Sequence, residues 1–109
     1  MTRGDVVVVA APGDYGKPRP AVIVQTDVIP PAHPSVVVCQ MASDLVGDAD
    51  FRVTIEAGST TGLRVRSQIM ADKPVTVRRD RIGQTIGRLT SAEIARLNVA
   101  LAFVLGLAD

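Results

Sequence analysis

The sequence predicts a mainly β domain, a small barrel or sandwich of about six to seven short strands that is followed by one C-terminal α-helix. Runs of β-branched residues recur at regular spacing, and segments rich in glycine, proline and aspartate separate them. The expected strands lie near residues 4–11, 19–26, 35–42, 51–56, 64–71, 74–77 and 83–88. Because neither a repeat nor a linker divides the 109 residues, we expect a single domain, 1–109.

The last segment carries the start and stop signals of a helix. Thr90-Ser91-Ala92-Glu93 fits a capping box, in which the Thr90 hydroxyl and the Glu93 carboxylate each satisfy a backbone N–H. Apolar residues then recur at helical spacing, at Ile94, Leu97, Leu101 and either Val104 or Leu105. Gly106 suits the left-handed position that follows a helix end. These signals predict a helix between Thr90 and Gly106.

The charge of the chain excludes one class of function and leaves another open. A formal net charge of +1 argues against a protein that coats DNA, since such domains usually carry a clear basic excess. Cationic side chains nevertheless crowd one segment, at Arg64, Arg66, Lys73, Arg78, Arg79, Arg81 and Arg88. Both a solvated mixed surface and a site for an anionic partner account for this crowding.

Cysteine usage and hydropathy indicate the compartment. Cys39, the single cysteine, is expected to be a small buried hydrophobe, and no disulfide is possible within one chain. No apolar run approaches the roughly 20 residues of a membrane span. We therefore expect a reducing, cytoplasmic setting and no membrane contact. No HxxxH, CxxC or carboxylate cluster suggests a metal site, so we expect no metal and no cofactor.

The segment between the first two predicted strands contains the first candidate for a functional residue. Pro18 and Pro20 restrict the backbone on both sides of Arg19, so its guanidinium is held at the mouth of a strand. A stiffly mounted arginine beside a glycine-rich loop suits the binding of a phosphate. A surface arginine at a strand start is the alternative interpretation.

The order of these motifs resembles that of a known family. Arg3-Gly4-Asp5-Val6-Val7, a glycine-rich loop and then Arg19-Pro20-Ala21-Val22-Ile23-Val24 resemble the amino-terminal signature of the MazF/PemK toxins. Val36-Val37-Val38-Cys39-Gln40-Met41-Ala42-Ser43, Val65-Arg66-Ser67-Gln68 and the closing Leu105-Gly106-Leu107 agree in the same order. The resemblance implies an SH3-like barrel with a terminal helix, assembled as a homodimer.

The resemblance also implies a function. It identifies a toxin of a bacterial type II toxin–antitoxin system, a metal-independent endoribonuclease (mRNA interferase) that cuts single-stranded RNA and so inhibits translation and growth. The expected partners are single-stranded RNA and a cognate antitoxin whose disordered tail blocks the RNA groove. The RNA cleavage motif and the identity of the antitoxin do not follow from the resemblance.

This chain matches some of the family's catalytic positions and departs from others. Arg19 matches the loop arginine and is assigned to phosphate stabilisation. Arg66 matches an arginine that lies opposite that loop in some members, although an ion pair with Glu56 is an equal alternative. Two residues after Arg66, where those members have an acidic group, this chain has Gln68. An amide hydrogen-bonds RNA but cannot exchange a proton as a carboxylate does.

A hydroxyl at the end of the third strand is the second departure. Where the family commonly has a threonine, this chain has Ala42, followed by Ser43. Because adjacent strand residues face opposite ways, Ser43 is expected to replace the threonine only if the strand end is irregular. Tyr15 and Lys17 are suited to stacking on a base and to pairing with phosphate. The candidate residues are therefore Arg19, Ser43 and Arg66 for catalysis, and Tyr15, Lys17 and Gln68 for RNA binding.

Two alternatives remain at this point. The same fold is shared with the CcdB gyrase poisons, which bind rather than cleave, and Met41-Ala42-Ser43 and Pro74-Val75-Thr76-Val77 resemble segments of those proteins. The chain has no tryptophan, however, whereas the gyrase-binding tip of those proteins contains one. The second alternative is an inactive relative that binds an antitoxin. His33, between prolines in a predicted turn, is expected to be an ordinary loop histidine.

Overall fold

A computed structural model describes residues 1–10, 17–47 and 51–107. The chain forms six strands and one α-helix, which are β1 (Asp5–Val9), β2 (Arg19–Ile23), β3 (Ser35–Ala42), β4 (Arg52–Ile55), β5 (Ser67–Arg78), β6 (Ile82–Arg88) and α1 (Ser91–Val104). A 3₁₀ turn, Arg79–Arg81, connects β5 to β6. The strands pair antiparallel in the order β4-β5-β3-β2-β1-β6. The predicted class, mainly β with a C-terminal helix, is confirmed.

The strand count is six because two predicted strands form one. The segments 64–71 and 74–77 were expected to be separate, but β5 runs continuously through Pro74. Pro74 lies opposite Cys39, where the pairing of β3 with β5 shifts its register before Met41 and Ile69 meet. A bulge is one of the few places in a sheet where proline is tolerated, since the regular hydrogen bonding is already interrupted there. Proline therefore marks an irregularity within this strand and not its end.

A loop brings the two edge strands of the sheet together. Residues 56–66 follow edge strand β4, and the Arg88 N–H of edge strand β6 donates to the Thr60 carbonyl over 2.9 Å. Gly62 has a φ of +75°, and a Cβ there would overlap the Ile86 carbonyl oxygen of β6. The six strands thus curve into a barrel-like shape in which a loop spans the gap between β4 and β6.

Aliphatic side chains are buried on both faces of the sheet. Along β1, Val6 faces one cluster while Val7 and Val9 face the other, as strand alternation requires. Helix α1 covers the first cluster with Leu97 and Ala100. The first cluster contains Val6, Val22, Cys39, Met41, Val53, Ile55, Leu63, Ile69, Ala71, Leu89, Leu97 and Ala100. The second contains Val7, Val9, Ala21, Ile23, Val36, Val38 and Val77.

Cys39 lies within the first cluster and is fully buried. Burial raises the pKa of its thiol to about 11, and the nearby Asp72 charge adds to this effect while Arg3 opposes it. The thiolate, which is the reactive form, is thereby disfavoured at neutral pH. The prediction that Cys39 is a small core residue is confirmed.

Both ends of α1 are capped as the sequence predicts. The Glu93 N–H donates to the Thr90 hydroxyl over 3.2 Å, and the Thr90 N–H donates to the Glu93 carboxylate over 2.8 Å. At the other end Gly106 has a φ of +71°, and the Leu107 N–H donates to the Ala102 carbonyl over 2.8 Å, as in a Schellman motif. Within the described part of the chain, no helix combines the length and apolarity needed to cross a membrane.

Candidate functional site

A groove of about 530 Å³ opens where β2, β3 and β5 meet the loop that closes the barrel. Its polar lining comes from Arg19, Ser43, Arg64 and Ser67, and apolar residues such as Met41 form other parts of its wall. We call it the Arg19 groove. Arg19 and Ser43, two of the three predicted catalytic residues, therefore line one cavity.

The start of β2 holds Arg19 at the rim of this groove. Arg19 is the first residue of the strand and lies opposite Val9 of β1, while the next residue, Pro20, lies opposite Val8. The Arg19 side chain is exposed, and Pro18 and Pro20 on either side of it also line the groove. Because both prolines restrict the backbone and β1 pairs with the strand, the backbone from which the Arg19 side chain extends is held in place.

The end of β3 brings Ser43 to the same groove. The strand ends at Ala42, which lies opposite Gln68 of β5 and does not line the groove. Met41 and Ser43, on either side of Ala42, both line it. The end of β3 is irregular, because its pairing with β5 shifts between Cys39 and Met41 and the chain bends at Ser43. This meets the condition that the sequence analysis set for Ser43, whose catalytic role stays a prediction.

Two groove residues, Arg64 and Ser67, were not nominated from the sequence. Ser67 is the buried first residue of β5, and its hydroxyl donates to the Val65 carbonyl over 3.0 Å. Arg64 lies in the preceding loop and is exposed. The sequence analysis expected a strand over 64–71, in which Arg64 and Arg66 would share a face. The strand begins only at Ser67, and the loop turns the two arginines to different places.

Arg66 lines a second, smaller cavity of about 270 Å³, which we call the Arg66 cavity. Leu45, Val46 and Gly47 form one side of it, and Arg52, Thr54 and Gln68 form the rest. The Arg66 Nε lies 3.0 Å from a carboxylate oxygen of Glu56, which is the ion pair considered as the alternative role for this arginine. Arg66 does not line the Arg19 groove, and its catalytic role stays a prediction.

Gln68 is buried, and its amide binds the backbone of the loop that follows β3. The Val46 N–H donates to the Gln68 Oε1 over 2.9 Å, and the Gln68 Nε2 donates to the Val46 carbonyl over 2.9 Å and to the Thr54 hydroxyl over 3.2 Å. The side chain thereby anchors residues 43–47, the loop that begins with Ser43. Its contact with RNA stays a prediction.

The remaining candidates are placed as follows. Lys17 is exposed and directly precedes Pro18 at the rim of the Arg19 groove. Tyr15 lies outside the described residues. His33 lies in a turn, where the Ser35 N–H donates to its Nδ1 over 3.3 Å and Arg79 donates to its carbonyl over 2.8 Å. These contacts agree with the expectation of an ordinary loop histidine.

The cationic residues that are crowded in the sequence are dispersed in space. Arg64 and Arg66 precede β5, whereas Arg78 ends this strand and pairs with Asp80 over 2.6 Å. Asp72 also lies on β5, beyond Gln68. Its carboxylate is 3.3 Å from the Arg52 Nε, so Asp72 belongs to a half-buried ion pair. Over residues 1–10, 17–47 and 51–107, no three histidine, cysteine or acidic side chains group as metal ligands would.

Comparison with known proteins gives consistent matches. A family described as "PemK-like, MazF-like toxin of type II toxin-antitoxin system" matches residues 2–105. A protein of Mycolicibacterium smegmatis named probable endoribonuclease MazF is 40% identical over 109 residues, which cover 99% of each chain.

Solved structures agree on the fold. The Mycobacterium tuberculosis toxin MazF-mt6 is 21% identical, with a TM-score of 0.83 over 96% of this chain and 99% of that one. A mycobacterial endoribonuclease solved in complex with its cognate antitoxin is 23% identical, with a TM-score of 0.84 over 100% of this chain and 98% of that one. At these identities the two structures establish a shared architecture.

Proposed function

The chain belongs to the family of PemK-like, MazF-like toxins of type II toxin–antitoxin systems, and from this premise we propose that it is an endoribonuclease that cleaves single-stranded RNA. Cleavage of cellular RNA would inhibit translation and growth. The observation that carries this proposal is the shared position of Arg19 and Ser43 in the Arg19 groove. We further propose that residues 1–109 act as one toxin domain.

The chemistry of the groove suits stabilisation of the charge that develops on a phosphodiester under attack. RNA cleavage without a metal needs activation of the ribose 2′-OH, stabilisation of the charge that develops on the phosphorus oxygens, and protonation of the leaving 5′-oxygen. A guanidinium donates two parallel hydrogen bonds to such oxygens, and the Ser43 hydroxyl donates a third. Because prolines and strand pairing hold the Arg19 backbone, only its side chain has to orient when the charge forms. The resemblance adds leaving-group protonation to the role of Arg19.

Other parts of the proposal rest on the family. The partner is a cognate antitoxin whose disordered tail covers the groove, and the active form is a homodimer in the bacterial cytoplasm. Lys17 and Tyr15 contact RNA beside Arg19, and no metal or other cofactor takes part. A second copy would add core to a small domain that is poor in aromatic residues. Sedimentation of a monomer at micromolar concentration would contradict the homodimer.

The gyrase-poison alternative is not favoured. The family match and the 40% identical relative both concern the MazF/PemK group. The helix of this chain is followed by Leu105-Gly106-Leu107, without the tryptophan that anchors the gyrase poisons. The inactive, antitoxin-binding alternative differs from the proposal only in activity, so a cleavage assay decides between them.

The test is cleavage of a mixed single-stranded RNA by the purified protein in EDTA. We expect products that end in a 2′,3′-cyclic phosphate, and an Arg19→Ala rate at least about tenfold lower, which corresponds to about 1.4 kcal/mol of transition-state stabilisation. Ser43→Ala is expected to slow the reaction by a similar factor.

Arg78→Ala is the matched control for this assay. It removes an exposed arginine at the far end of β5, and its rate should equal that of the wild type. Intact RNA together with trapped gyrase–DNA complexes would favour gyrase poisoning. Intact RNA with tight antitoxin binding would indicate an inactive relative.

A further inference from the structure

We propose that Gln68 is a positioning residue for RNA cleavage, which holds the Ser43 hydroxyl at the Arg19 groove by fixing both ends of the loop that carries it. This inference rests on the proposed function, because it concerns the rate at which bound RNA is cleaved. It gives Gln68 a role that acts through Ser43, where the sequence analysis assigned it to contact with RNA.

Ser43 begins a short loop whose two ends both lie against Gln68. The last residue of β3, Ala42, pairs with Gln68 across the sheet. Further along the chain, the Val46 N–H and carbonyl each form a hydrogen bond of 2.9 Å with the Gln68 amide. Only residues 43–45 separate these two points. Because each residue has few allowed combinations of φ and ψ, so short a segment between two fixed ends has few conformations.

The Gln68 amide is itself held in one orientation. Gln68 is 6% exposed and shares a face of the sheet with Ala42 and Thr54, the residues opposite it on β3 and β4. Its Nε2 donates to the Val46 carbonyl over 2.9 Å and to the Thr54 hydroxyl over 3.2 Å, so both of its hydrogens are used. Rotation of the amide would leave buried polar groups unpaired. The amide is therefore a rigid attachment point for the loop.

Gln68 acts on the groove only through this loop. Its neighbour Ser67 lines the Arg19 groove, whereas Gln68 lines the Arg66 cavity. Successive side chains of a strand point to opposite faces, so the Gln68 amide faces away from the groove. Its hydrogen bonds are also made within the protein. An effect of Gln68 on a phosphate in the groove must therefore pass through Ser43.

The position of the Ser43 hydroxyl affects the rate because a hydrogen bond depends steeply on geometry. A hydroxyl donates to an oxygen over about 2.5–3.0 Å, and the bond weakens at poor angles. Misplacement of a group in an active site by about 1 Å can cost about 100-fold in rate. In the proposed reaction Arg19 acts on the same phosphate from β2, the strand beside β3. Both donors reach it together only if the loop keeps its shape.

The experiment is a double-mutant cycle of Gln68→Leu and Ser43→Ala. The quantity measured is the rate of cleavage of mixed single-stranded RNA at saturating concentration. We expect Gln68→Leu to lower this rate about tenfold, as Ser43→Ala does, because the loop is no longer held. The double variant should be no slower than Ser43→Ala alone. A loop without the hydroxyl has nothing left to position, so the two losses should not add.

The Michaelis constant separates positioning from contact with RNA. An interaction that is made only in the transition state lowers kcat and kcat/KM equally, whereas a lost contact with the substrate raises KM. We therefore expect Gln68→Leu to lower kcat and to leave KM within about twofold of the wild-type value.

Two controls separate positioning from stability. Thr54→Val removes only the 3.2 Å bond to the amide and leaves the two bonds to Val46. Thr90→Ala removes the cap of α1 and so lowers stability away from the loop. Both variants should cleave within about twofold of the wild-type rate, or about 0.4 kcal/mol. Urea unfolding verifies that each variant is folded at the assay temperature, and Gln68→Met replaces Gln68→Leu if the leucine variant is not.

Three results would overturn the inference. Additive losses in the cycle would show that Gln68 acts independently of Ser43. A wild-type rate for Gln68→Leu would show that the loop holds its shape without the amide. A raised KM with unchanged kcat would make Gln68 a contact for RNA. If the wild type cleaves no RNA, the proposed nuclease function fails together with this inference, whereas an active wild type with additive losses contradicts this inference alone.

Discussion

At the level of single residues, the side-chain amide of Gln68 pairs with the backbone of Val46. Its amide offers one acceptor and one donor to the N–H and carbonyl of Val46, as a neighbouring strand would. A carboxylate at this position would accept from the Val46 N–H but would face the Val46 carbonyl with no proton to donate. The amide therefore suits this position because it anchors the loop that presents Ser43 and the wall of the Arg66 cavity.

Replacing Gln68 by leucine is expected to lower the free energy of unfolding by about 2 kcal/mol, because hydrogen bonds of a buried amide are lost and its partners are left unpaired. Thr54→Val is the matched control, since it removes only the 3.2 Å bond to the same amide, and it should cost about 1 kcal/mol or less. Urea unfolding measures both values. Amide hydrogen exchange at Val46 should accelerate in Gln68→Leu alone, and unchanged protection there would contradict the anchoring role.

At the level of elements, strand ends and loops determine which side chains meet. β3 ends at Ala42, and β5 begins at Ser67 instead of at residue 64. Three residues of loop, 64–66, therefore escape strand alternation, and Arg64 and Arg66 separate into two cavities. The site is consequently built mostly from residues beside strand ends, where short-range pattern is least informative.

The cap of α1 gives a prediction at this scale. Thr90→Ala removes the hydroxyl that accepts from the Glu93 N–H, and we expect a loss of about 1 kcal/mol in the free energy of unfolding. Because α1 covers the first core cluster through Leu97 and Ala100, the loss should appear as a lower midpoint of one cooperative transition in urea. Ser91→Ala, at the next position, is the control and should change stability by less than about 0.5 kcal/mol. Equal stability of the two variants would refute the cap.

At the level of the whole molecule, closure of the barrel and formation of the groove depend on the same loop. Residues 60–62 contact β6 and continue into Leu63 and Arg64, which line the Arg19 groove. The backbones of the loop and β6 approach so closely that neither Gly62 nor Gly87 has room for a side chain. A defect in closure is therefore expected to damage the site as well as the fold.

Gly87→Ala tests this dependence. The added Cβ would overlap the backbone of Thr60 and Thr61, so the loop must move and the free energy of unfolding should fall by about 3 kcal/mol. Gly58→Ala, in the same loop, is the matched control, because a Cβ there meets no atom within 4 Å. Resistance to urea should fall in Gly87→Ala only. Binding of a pool of mixed-sequence 2′-fluoro RNAs, which lack the 2′-OH and are bound without being cleaved, should also weaken in this variant only. Equal behaviour of the two variants would show that closure does not support the groove.

The sequence by itself determined the class of the fold, the strands at 35–42 and 83–88 to within a residue, the capped helix and the buried cysteine. Each of these depends on neighbours within a few residues, where periodicity, capping and turn chemistry operate. Tertiary structure alone decided that Pro74 lies inside a strand, that Ser43 joins Arg19 while Ala42 turns away, and that Arg66 lies apart from both. These outcomes depend on the pairing of strands distant in sequence and on where each strand ends, because register assigns every side chain to a face and no local pattern encodes register.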